Sequence, residues 1–192
     1  SLYILDGEKH ADRLGVVTKN LLTGEMIRDW HPAQSLVTAW PFDENFQPIN
    51  LNLYSSFDKF FWPSKNFINR RKRFGTPMVD RGLTWYEWQE LYYDRLQTPL
   101  TIVFAFVSTH NHFVLDRGGK VFKQSAPIIK LPDDATEDDH LSLMSALNSS
   151  TACFYMKQVF FNKGYGADKA GARTRKEPDE DFYEFDCTKM AQ

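Results

Sequence analysis

A nearly continuous apolar run at residues 100–107 constrains the fold of this chain most. The run is rich in β-branched and aromatic side chains and is far shorter than the ~18 apolar residues of a membrane span, so it predicts a strand buried on both faces. Two strand-like segments, 112–115 and 120–122, follow it and flank the sequence Asp116-Arg117-Gly118-Gly119. Because glycines supply the positive φ angles of a tight turn, this part of the chain predicts a β-hairpin.

Two helices are predicted after these strands. The sequence Thr136-Glu137-Asp138-Asp139 has the pattern of a capping box, with acidic residues where the helix dipole favours them. Leu141, Met144 and Leu147 mark one face of the helix that follows. Asn148-Ser149-Ser150 interrupts that helix, and a second apolar helix is predicted for residues 151–161. Further short strands are predicted at 128–131 and 182–185.

Two helices are also predicted before the strands. Phe57, Phe60 and Phe61 begin a helical pattern that extends from residue 56 to Phe74, with Gly75 as its stop. Pro63 lies inside this pattern, so the helix is either kinked or starts near residue 64. A second, short helix is predicted for residues 84–92, where Thr84 and Glu87 have the spacing of a capping box. The pattern of residues 1–53 predicts short strands and loops. Apolar and polar residues alternate at 48–53, which predicts a half-buried strand.

These elements predict the α+β class: an antiparallel or mixed β-sheet with flanking helices and a C-terminal helix pair, in a single domain. Within it, residues 1–53 form an N-terminal strand and loop segment, and residues 54–192 form the core with the basic helix, the central strands, the hairpin and the C-terminal helices. The length of 192 residues agrees with one domain. Apolar residues make up 42% and aromatic residues 15% of the chain, which excludes a mainly disordered protein.

The N-terminus and the cysteines of the chain lead to expectations about its parent protein and its location. The chain starts with Ser1 rather than Met, so we expect an excised piece of a larger protein. Its N-terminus has no signal-peptide pattern, and no segment is apolar enough for a membrane span. The two cysteines, Cys153 and Cys187, exclude a disulfide scaffold and, without an export signal, lead us to expect a cytoplasmic location.

The formal net charge of −2 conceals a strong segregation of charge along the chain. Residues 65–73 carry +5 and residues 163–176 carry +4, whereas residues 133–139 carry −5 and residues 177–186 carry −6. Basic segments of this kind favour contact with phosphates of a polyanion. Two plainer interpretations stay open. The first segment is also typical of a solvated helix end matched to the helix dipole, and the second is typical of a disordered surface loop.

Catalytic motifs are missing from the sequence. It contains no Walker A loop, no GxGxxG, no GxSxG and no HExxH. His110 and His112 would share one face of a strand and offer two zinc ligands, but the other histidines and cysteines lack ligand spacing, so we predict no metal site. One group of aromatic residues is spaced either for base stacking or, as is more common, for a hydrophobic core: Trp85, Tyr86, Trp88, Tyr92 and Tyr93.

Several segments, taken in order, nevertheless resemble a known family. They are Phe61-Trp62-Pro63-Ser64-Lys65 with Asn69-Arg70-Arg71; Thr84-Trp85-Tyr86-Glu87; Thr109-His110-Asn111-His112 through Gly118-Gly119; Ala126-Pro127-Ile128-Ile129-Lys130; and Leu147-Asn148-Ser149-Ser150-Thr151 with Phe154-Tyr155. This order resembles the target-recognition domain of large adenine-specific DNA methyltransferases. The family includes the type IIG restriction-modification enzymes, the TaqI-like specificity domains and the methyltransferase of the BREX phage-resistance systems, and the strings around residues 109–119 and 147–153 are most similar to the BREX type.

The resemblance implies recognition without catalysis in this chain. Such enzymes transfer a methyl group from S-adenosylmethionine to adenine N6 and flip the target base to reach it. Their catalytic half carries an Asn/Asp-Pro-Pro-Tyr/Phe motif and a glycine-rich cofactor motif, and this chain has neither. The implied partners are therefore double-stranded DNA, the catalytic methyltransferase domain of the same parent chain and, in a phage-defence setting, other defence-system proteins.

Charge and position select the predicted DNA contacts. We expect a positive surface built from 65–73, 117–123 and 163–176, with these contact residues: Lys65, Arg70, Arg71, Arg73, Arg117, Lys120, Lys169, Arg173 and Arg175. The alternative is a protein-interaction module of a defence complex without DNA contact, which would use the acidic segments and exposed aromatic residues. A zinc hydrolase built on His110 and His112 is a third possibility.

Overall fold

The computed structural model describes residues 2–5, 8–28, 30–32, 36–97, 99–163 and 182–186. The α-helices of this part are α1 (Glu8–Leu14), α2 (Ser55–Phe61), α3 (Lys65–Asn69), α4 (Glu137–Leu147) and α5 (Ser150–Val159). Its strands are β1 (Ile4–Leu5), β2 (Thr18–Leu22), β3 (Ile27–Arg28), β4 (His31–Pro32), β5 (Leu36–Ala39), β6 (Lys72–Arg73), β7 (Thr76–Pro77), β8 (Thr101–Phe104), β9 (Val107–Ser108), β10 (Phe113–Asp116), β11 (Lys120–Phe122), β12 (Ile128–Ile129), β13 (Phe161–Asn162) and β14 (Tyr183–Glu184).

The internal contacts of the chain divide it into two compact units. Unit 1 comprises Ser1–Asn20 and Leu36–Gln97, and unit 2 comprises Leu21–Ser35 and Thr98–Gln192. The strand pairs β1–β5, β6–β7, β8–β10, β8–β12, β9–β14 and β13–β14 are all antiparallel. Short antiparallel sheets with flanking helices and a C-terminal helix pair confirm the predicted α+β class. The expected single-domain organisation, with parts 1–53 and 54–192, stays a prediction.

Unit 1 packs its helices against short strands. β1 pairs with β5, with Ile4 opposite Thr38 and Leu5 opposite Val37. The core contains Phe57 and Phe61 of α2 and Ile68 of α3. The predicted kink at Pro63 is present, because a 3₁₀ turn over Trp62–Ser64 separates α2 from α3. Proline lacks the amide hydrogen that a continuous helix needs at that position.

The end predicted for this helix is wrong. The helix ends at Asn69 rather than at Phe74, and the next residues form a tight antiparallel hairpin from β6 and β7. Phe74 and Gly75 are its two turn residues, with φ angles of 47° and 86°. Positive φ at both central residues is the requirement of the turn that matches the twist of a hairpin, so Gly75 serves this turn and is not a helix stop.

The helix predicted for residues 84–92 is also wrong. The predicted capping contact does exist, because the Glu87 carboxylate accepts a hydrogen bond from the Thr84 amide, but residues 85–92 contain no helix. A helix would use the carbonyl groups of Trp85 and Glu87 internally. Here both accept hydrogen bonds from the Arg71 guanidinium, at 3.0 and 2.8 Å. Bonds from a distant side chain therefore outcompete the local helical preference.

Unit 2 is built around β8, which lies between β10 and β12. Its four residues are all buried, which confirms the strand predicted at residues 100–107. Ile102 and Phe104 pack into one cluster with Met144 of α4 and Met156 of α5, whereas Val103 packs into another. Successive side chains of a strand point to opposite faces, so β8 is covered on both faces as expected.

The hairpin predicted around Asp116-Arg117-Gly118-Gly119 differs from the observed topology. Both glycines do have positive φ, at 96° and 79°. The flanking strands do not pair with each other, however, because β10 pairs with β8 and β11 belongs to a different sheet. The buried Asp116 accepts the Gly118 amide at 3.1 Å, and Lys123 after β11 donates its amide to Leu22 at 2.9 Å. The local turn was predictable, and the distant strand partner was not.

The predicted C-terminal helix pair is confirmed, with α5 ending at Val159 rather than at residue 161. Thr136 and Asp139 form the predicted capping box of α4. Asn148 ends α4, and its side-chain amide pairs with the backbone of Phe113 in β10: the Phe113 amide donates to Oδ1 at 3.0 Å, and Nδ2 donates to the carbonyl at 2.8 Å. Ser149 then caps α5 by accepting the Ala152 amide at 3.1 Å. The interruption at residues 148–150 thus joins the helix pair to the edge of the sheet.

The N-terminal region agrees with its prediction in part. Short strands are present as expected, but residues 48–53 form a bridge between Phe42 and Pro48 followed by turns rather than a half-buried strand. Helix α1 was not predicted. Among the described residues, no helix combines the length and the apolar character that crossing a membrane requires.

Candidate nucleic-acid interface

The basic segment, residues 65–73, extends from α3 through a turn into β6 of unit 1. Its five cationic side chains have different environments. Arg71 points inward: its Nε donates to the Ile68 carbonyl at 2.9 Å, and its Nη2 donates to the carbonyls of Trp85 and Glu87. The guanidinium also lies 5.6 Å from the centre of the Tyr3 ring. Arg71 therefore holds the irregular segment 84–88 against the end of α3.

Tyr3 belongs to the same buried group. Its hydroxyl donates to the Tyr86 carbonyl at 2.8 Å and lies 3.3 Å from the Glu87 carbonyl. Burial raises the pKa of Tyr3 to about 12, and the nearby Arg71 opposes that shift only in part. Burial also raises the pKa of Tyr86. Both phenols therefore stay protonated and keep their hydrogen bonds at neutral pH.

Two further cations of the basic segment have partners at the surface. The Nε of Arg73 lies 2.6 Å from Glu90 Oε1, and its guanidinium lies 5.3 Å from the centre of the Phe74 ring. The Nζ of Lys65 lies 4.4 Å from the Trp62 ring centre and 5.2 Å from that of Trp85. Such cation–aromatic contacts orient a charge without neutralising it.

Arg70 and Lys72 are the cations of this segment most open to a ligand. Both are exposed, and neither side chain makes an ion pair within the described part of the chain. Large aromatic side chains accompany them: Trp62 is 59%, Phe67 is 71% and Phe74 is 95% exposed. Cations beside exposed aromatic rings are the combination with which proteins bind phosphates and stack on bases.

The predicted contacts of unit 2 are paired with acids. Arg117 donates from Nε at 3.1 Å and from Nη2 at 2.6 Å to one oxygen of Glu137, and this hydrogen bond raises the Arg117 pKa. Lys120 forms an ion pair with the buried carboxylate of Asp116. Because each cation already faces a carboxylate, a phosphate would have to compete with that partner. Both residues stay predicted contacts.

The second basic segment is described only at its first residue. Lys163 forms an ion pair with Glu184 at 3.1 Å, and its Nζ lies 5.7 Å from the Phe106 ring centre. Lys169, Arg173 and Arg175 lie outside the described residues, as does the first half of the acidic segment 177–186. The predicted positive surface made from all three basic segments therefore stays a prediction.

The acidic segment 133–139 serves the start of α4. Asp139 accepts the Thr136 hydroxyl at 2.7 Å and the Thr136 amide at 2.8 Å, and these bonds lower the pKa of Asp139. Glu137 is the partner of Arg117. Negative charge at a helix N-terminus is stabilising, so helix formation accounts for this segment without a ligand.

No metal site is found among the described residues, where no group of three histidine, cysteine, aspartate or glutamate side chains is arranged to hold an ion. The rings of His110 and His112 lie 6.4 Å apart between their centres. His140 is buried in α4, with its Nδ1 2.7 Å from the Thr136 carbonyl. The aromatic residues Tyr86 and Trp88 lie in the packed part of unit 1, where Trp88 meets Trp40 with ring centres 5.3 Å apart.

Gly24 and Gly118 do not form a cradle for S-adenosylmethionine, because both are packed against other backbone. A Cβ added at Gly118 would lie 3.3 Å from the Pro99 carbonyl oxygen, and one added at Gly24 would collide with the Ser125 carbonyl. These glycines permit close chain packing inside unit 2 and form no cradle for a ligand.

The exposed Phe74 is the feature of this surface that sequence reasoning missed. The pattern of phenylalanines assigned it to the apolar face of a helix. The signal was the dipeptide Phe74-Gly75 between residues able to form two short strands, since glycine in the second turn position is typical of a tight hairpin. The helical spacing of the preceding phenylalanines was the stronger signal and predicted a helix through this turn.

Comparison with known proteins gives one informative similarity. No family model matches the chain. The chain is similar to the "Adenine-specific methyltransferase PglX" of Streptomyces coelicolor, with 36% identity over 177 residues. The matched region covers 91% of this chain but only 14% of that relative. The chain therefore spans about one seventh of the length of the curated relative that it matches.

Proposed function

We propose that this chain is a DNA-contacting, sequence-recognition part of an adenine-specific DNA methyltransferase of the phage-defence type. The observation that carries the proposal is the 36% identity to an adenine-specific methyltransferase along 91% of the chain. The exposed cations Arg70 and Lys72, next to exposed aromatic rings, add a surface with the right chemistry for duplex DNA.

In this proposal the work is divided between this chain and the rest of the parent protein. The catalytic methyltransferase domain binds S-adenosylmethionine and transfers its methyl group to a flipped adenine. This chain, in the manner of a TaqI-like recognition domain, orients the duplex and supplies part of the sequence discrimination. Arg70 and Lys72 bind backbone phosphates, and the undescribed segment with Lys169, Arg173 and Arg175 adds further contacts.

The test is the salt dependence of DNA binding by the 192-residue chain. A fluorescently labelled duplex of mixed sequence is titrated with protein at several salt concentrations, and log Kd is plotted against log salt. Each phosphate contact contributes about 0.9 to the slope, so replacing Arg70 and Lys72 together by alanine should reduce the slope by about 1.8.

The matched control is the double replacement of Arg13 and Lys59 by alanine. Both side chains are exposed in unit 1, outside the basic segment, and the change in net charge is the same. We expect this variant to keep the wild-type slope. Absence of binding, salt-independent binding, or equal slope losses in both double variants would count against the proposal.

A second candidate function, protein interaction, is favoured by exposed aromatic residues on α5 and β13. Phe154 is 70% and Tyr155 is 66% exposed, and Phe161 is also exposed. In this alternative, replacing Phe154 and Tyr155 by serine changes the association state of the chain in sedimentation velocity. The Arg70 and Lys72 replacements would then leave every binding property unchanged.

A further inference from the structure

Phe74 occupies an unusual position at the tip of the β6–β7 hairpin. It is the most exposed large apolar side chain of the described residues, at 95%. Its backbone has a φ of 47°, in the left-handed region that is strained for a residue with a side chain. Asparagine or glycine is the preferred residue at this position of such a turn. The turn thus holds an exposed phenylalanine at a position where asparagine or glycine would be more favourable.

Phe46 shows how packing can compensate such a position. It also has a positive φ, of 60°, but its ring packs near Trp40 and Tyr93, with centres 6.1 and 6.4 Å away, and Lys19 lies over it. The packing of Phe46 offsets its backbone cost. The Phe74 ring lies 5.3 Å from the Arg73 guanidinium carbon and buries almost no surface.

The hairpin that carries Phe74 is anchored. Arg73 is tied to Glu90 at 2.6 Å, Gln89 donates to the Lys72 carbonyl at 2.8 Å, and the Met78 amide donates to the Arg71 carbonyl at 3.2 Å. The exposed ring is therefore held on a fixed support rather than at the end of a loose loop. A side chain that must enter a narrow gap benefits from this rigidity.

A run of cations directly precedes this ring in the sequence. Within residues 65–73 the chain carries +5, and the exposed Arg70 and Lys72 lie close to the tip along the chain. A polyanion is the partner that matches this charge. An apolar side chain flanked by phosphate-binding cations is the arrangement with which proteins wedge open a base step in duplex DNA.

We propose that Phe74 is a wedge that inserts between two stacked base pairs of duplex DNA while Arg70 and Lys72 hold the flanking phosphates. This inference rests on the proposed function, because it needs DNA at this surface. Insertion unstacks the step, kinks the duplex and changes its twist. The wedge contributes affinity through stacking, which does not depend on salt concentration. The cations contribute the salt-dependent part of the affinity.

The test measures DNA unwinding, which needs no knowledge of the recognised sequence. A relaxed plasmid offers many sequences at once and is incubated with the chain and topoisomerase I, and the change in linking number is read on a gel. The wild type should unwind the plasmid. Phe74→Ala, which keeps the Cβ and the backbone geometry, should unwind it several-fold less and bind duplex DNA about tenfold more weakly, with an unchanged salt slope.

Three variants make the result specific. Leu53→Ala removes an exposed large apolar side chain of unit 1 outside the basic segment, at 78% exposure, and should unwind DNA like the wild type. Phe74→Leu keeps an apolar wedge and should restore much of the unwinding. Phe74→Asn should abolish unwinding while the urea midpoint of unfolding stays equal or rises, so that lost activity is not a loss of folding.

The outcomes separate this inference from the proposed function. Absence of DNA binding by the wild type overturns both. Strong, salt-dependent binding with equal unwinding by the wild type and Phe74→Ala overturns the wedge alone. Vesicles of phosphatidylcholine and phosphatidylglycerol test the same tip against a membrane surface: vesicle binding that Phe74→Ala abolishes, with DNA unwinding unaffected, also overturns it.

Discussion

Arg70 and Arg71 are neighbours in the sequence but have opposite environments. The Arg70 side chain is exposed, whereas Arg71 donates three hydrogen bonds to carbonyl groups, two of them on residues 14 and 16 positions away. A run of basic residues does not reveal which of its members faces inward, because the carbonyl partners belong to a segment predicted to be a helix. Charge identified the segment, and only the tertiary contacts identify the residue.

This difference predicts opposite effects on stability. Arg71→Ala should lower the free energy of unfolding by about 2–3 kcal/mol, because buried carbonyl groups lose a charged donor. Arg71→Lys should recover little of it, since an ammonium group cannot reproduce the planar fork. Arg70→Ala should change stability by less than about 0.5 kcal/mol. Urea unfolding followed by tryptophan fluorescence measures all three, and a comparable loss in Arg70→Ala would contradict the assignment.

Tyr3 predicts a stability change at alkaline pH. Its pKa is about 12 in the folded chain and has its ordinary value of 10.0 in the unfolded chain. Between these values the unfolded chain releases the proton and the folded chain keeps it. The stability that Tyr3 contributes is therefore fully present below pH 10 and decreases as pH rises through this window, by at most about 1.4 kcal/mol per pH unit.

Urea unfolding at pH 9, 10 and 11 checks this with Tyr3→Phe as the control. The free energy of unfolding of the wild type should fall more steeply with pH than that of the variant. The raised pKa of Tyr86 affects both proteins equally and cancels in the comparison. Parallel pH profiles would show that Tyr3 ionises with its ordinary pKa.

At the scale of elements, local signals predicted the C-terminal helix pair and missed strand partners. The capping box at Thr136 and the cap at Ser149 are contained within a few residues, and the structure has both helices. The β8 strand was predictable because its composition requires burial on two faces. By contrast, β10 pairs with the nearby β8, whereas the partner of β11 lies far earlier in the chain, and the turn between β10 and β11 determines neither pairing.

The break between α4 and α5 has a testable role. Asn148→Ala leaves the amide and the carbonyl of the buried Phe113 without partners, so we expect a loss of about 3 kcal/mol in the free energy of unfolding. Asn148→Asp should cost at least as much at neutral pH, because a carboxylate oxygen would face the Phe113 carbonyl. Part of that loss should be regained at low pH, where the carboxyl group is protonated.

Asn66→Ala is the matched control for the two Asn148 variants, since the Asn66 side chain is exposed on α3. Its unfolding free energy should stay within about 0.5 kcal/mol of the wild type. Equal stabilities of Asn148→Ala and Asn66→Ala would show that the helix break does not support β10.

At the scale of the whole molecule, the proposed function rests on a surface whose charge was already visible in the sequence. The basic segment and the resemblance to adenine-specific methyltransferases were accessible from residue order alone. The exposure of Phe74 was not, because it depends on where α3 ends, and that end is determined by the hydrogen bonds of Arg71 and the pairing of β6 with β7. The identity to a curated adenine-specific methyltransferase is independent of this geometry.

The central claim is that the surface around residues 65–77 contacts duplex DNA, and amide chemical-shift mapping tests it most directly. Spectra of the isotopically labelled 192-residue chain are recorded with increasing amounts of a mixed-sequence duplex at low salt. We predict that the largest shifts among the described residues fall on 65–77, with Phe74 and Gly75 prominent, and that added salt reverses them. The account is contradicted if the amide signals of residues 65–77 do not shift. This holds whether the shifts fall on α4 and α5 instead or no amide signal shifts at all.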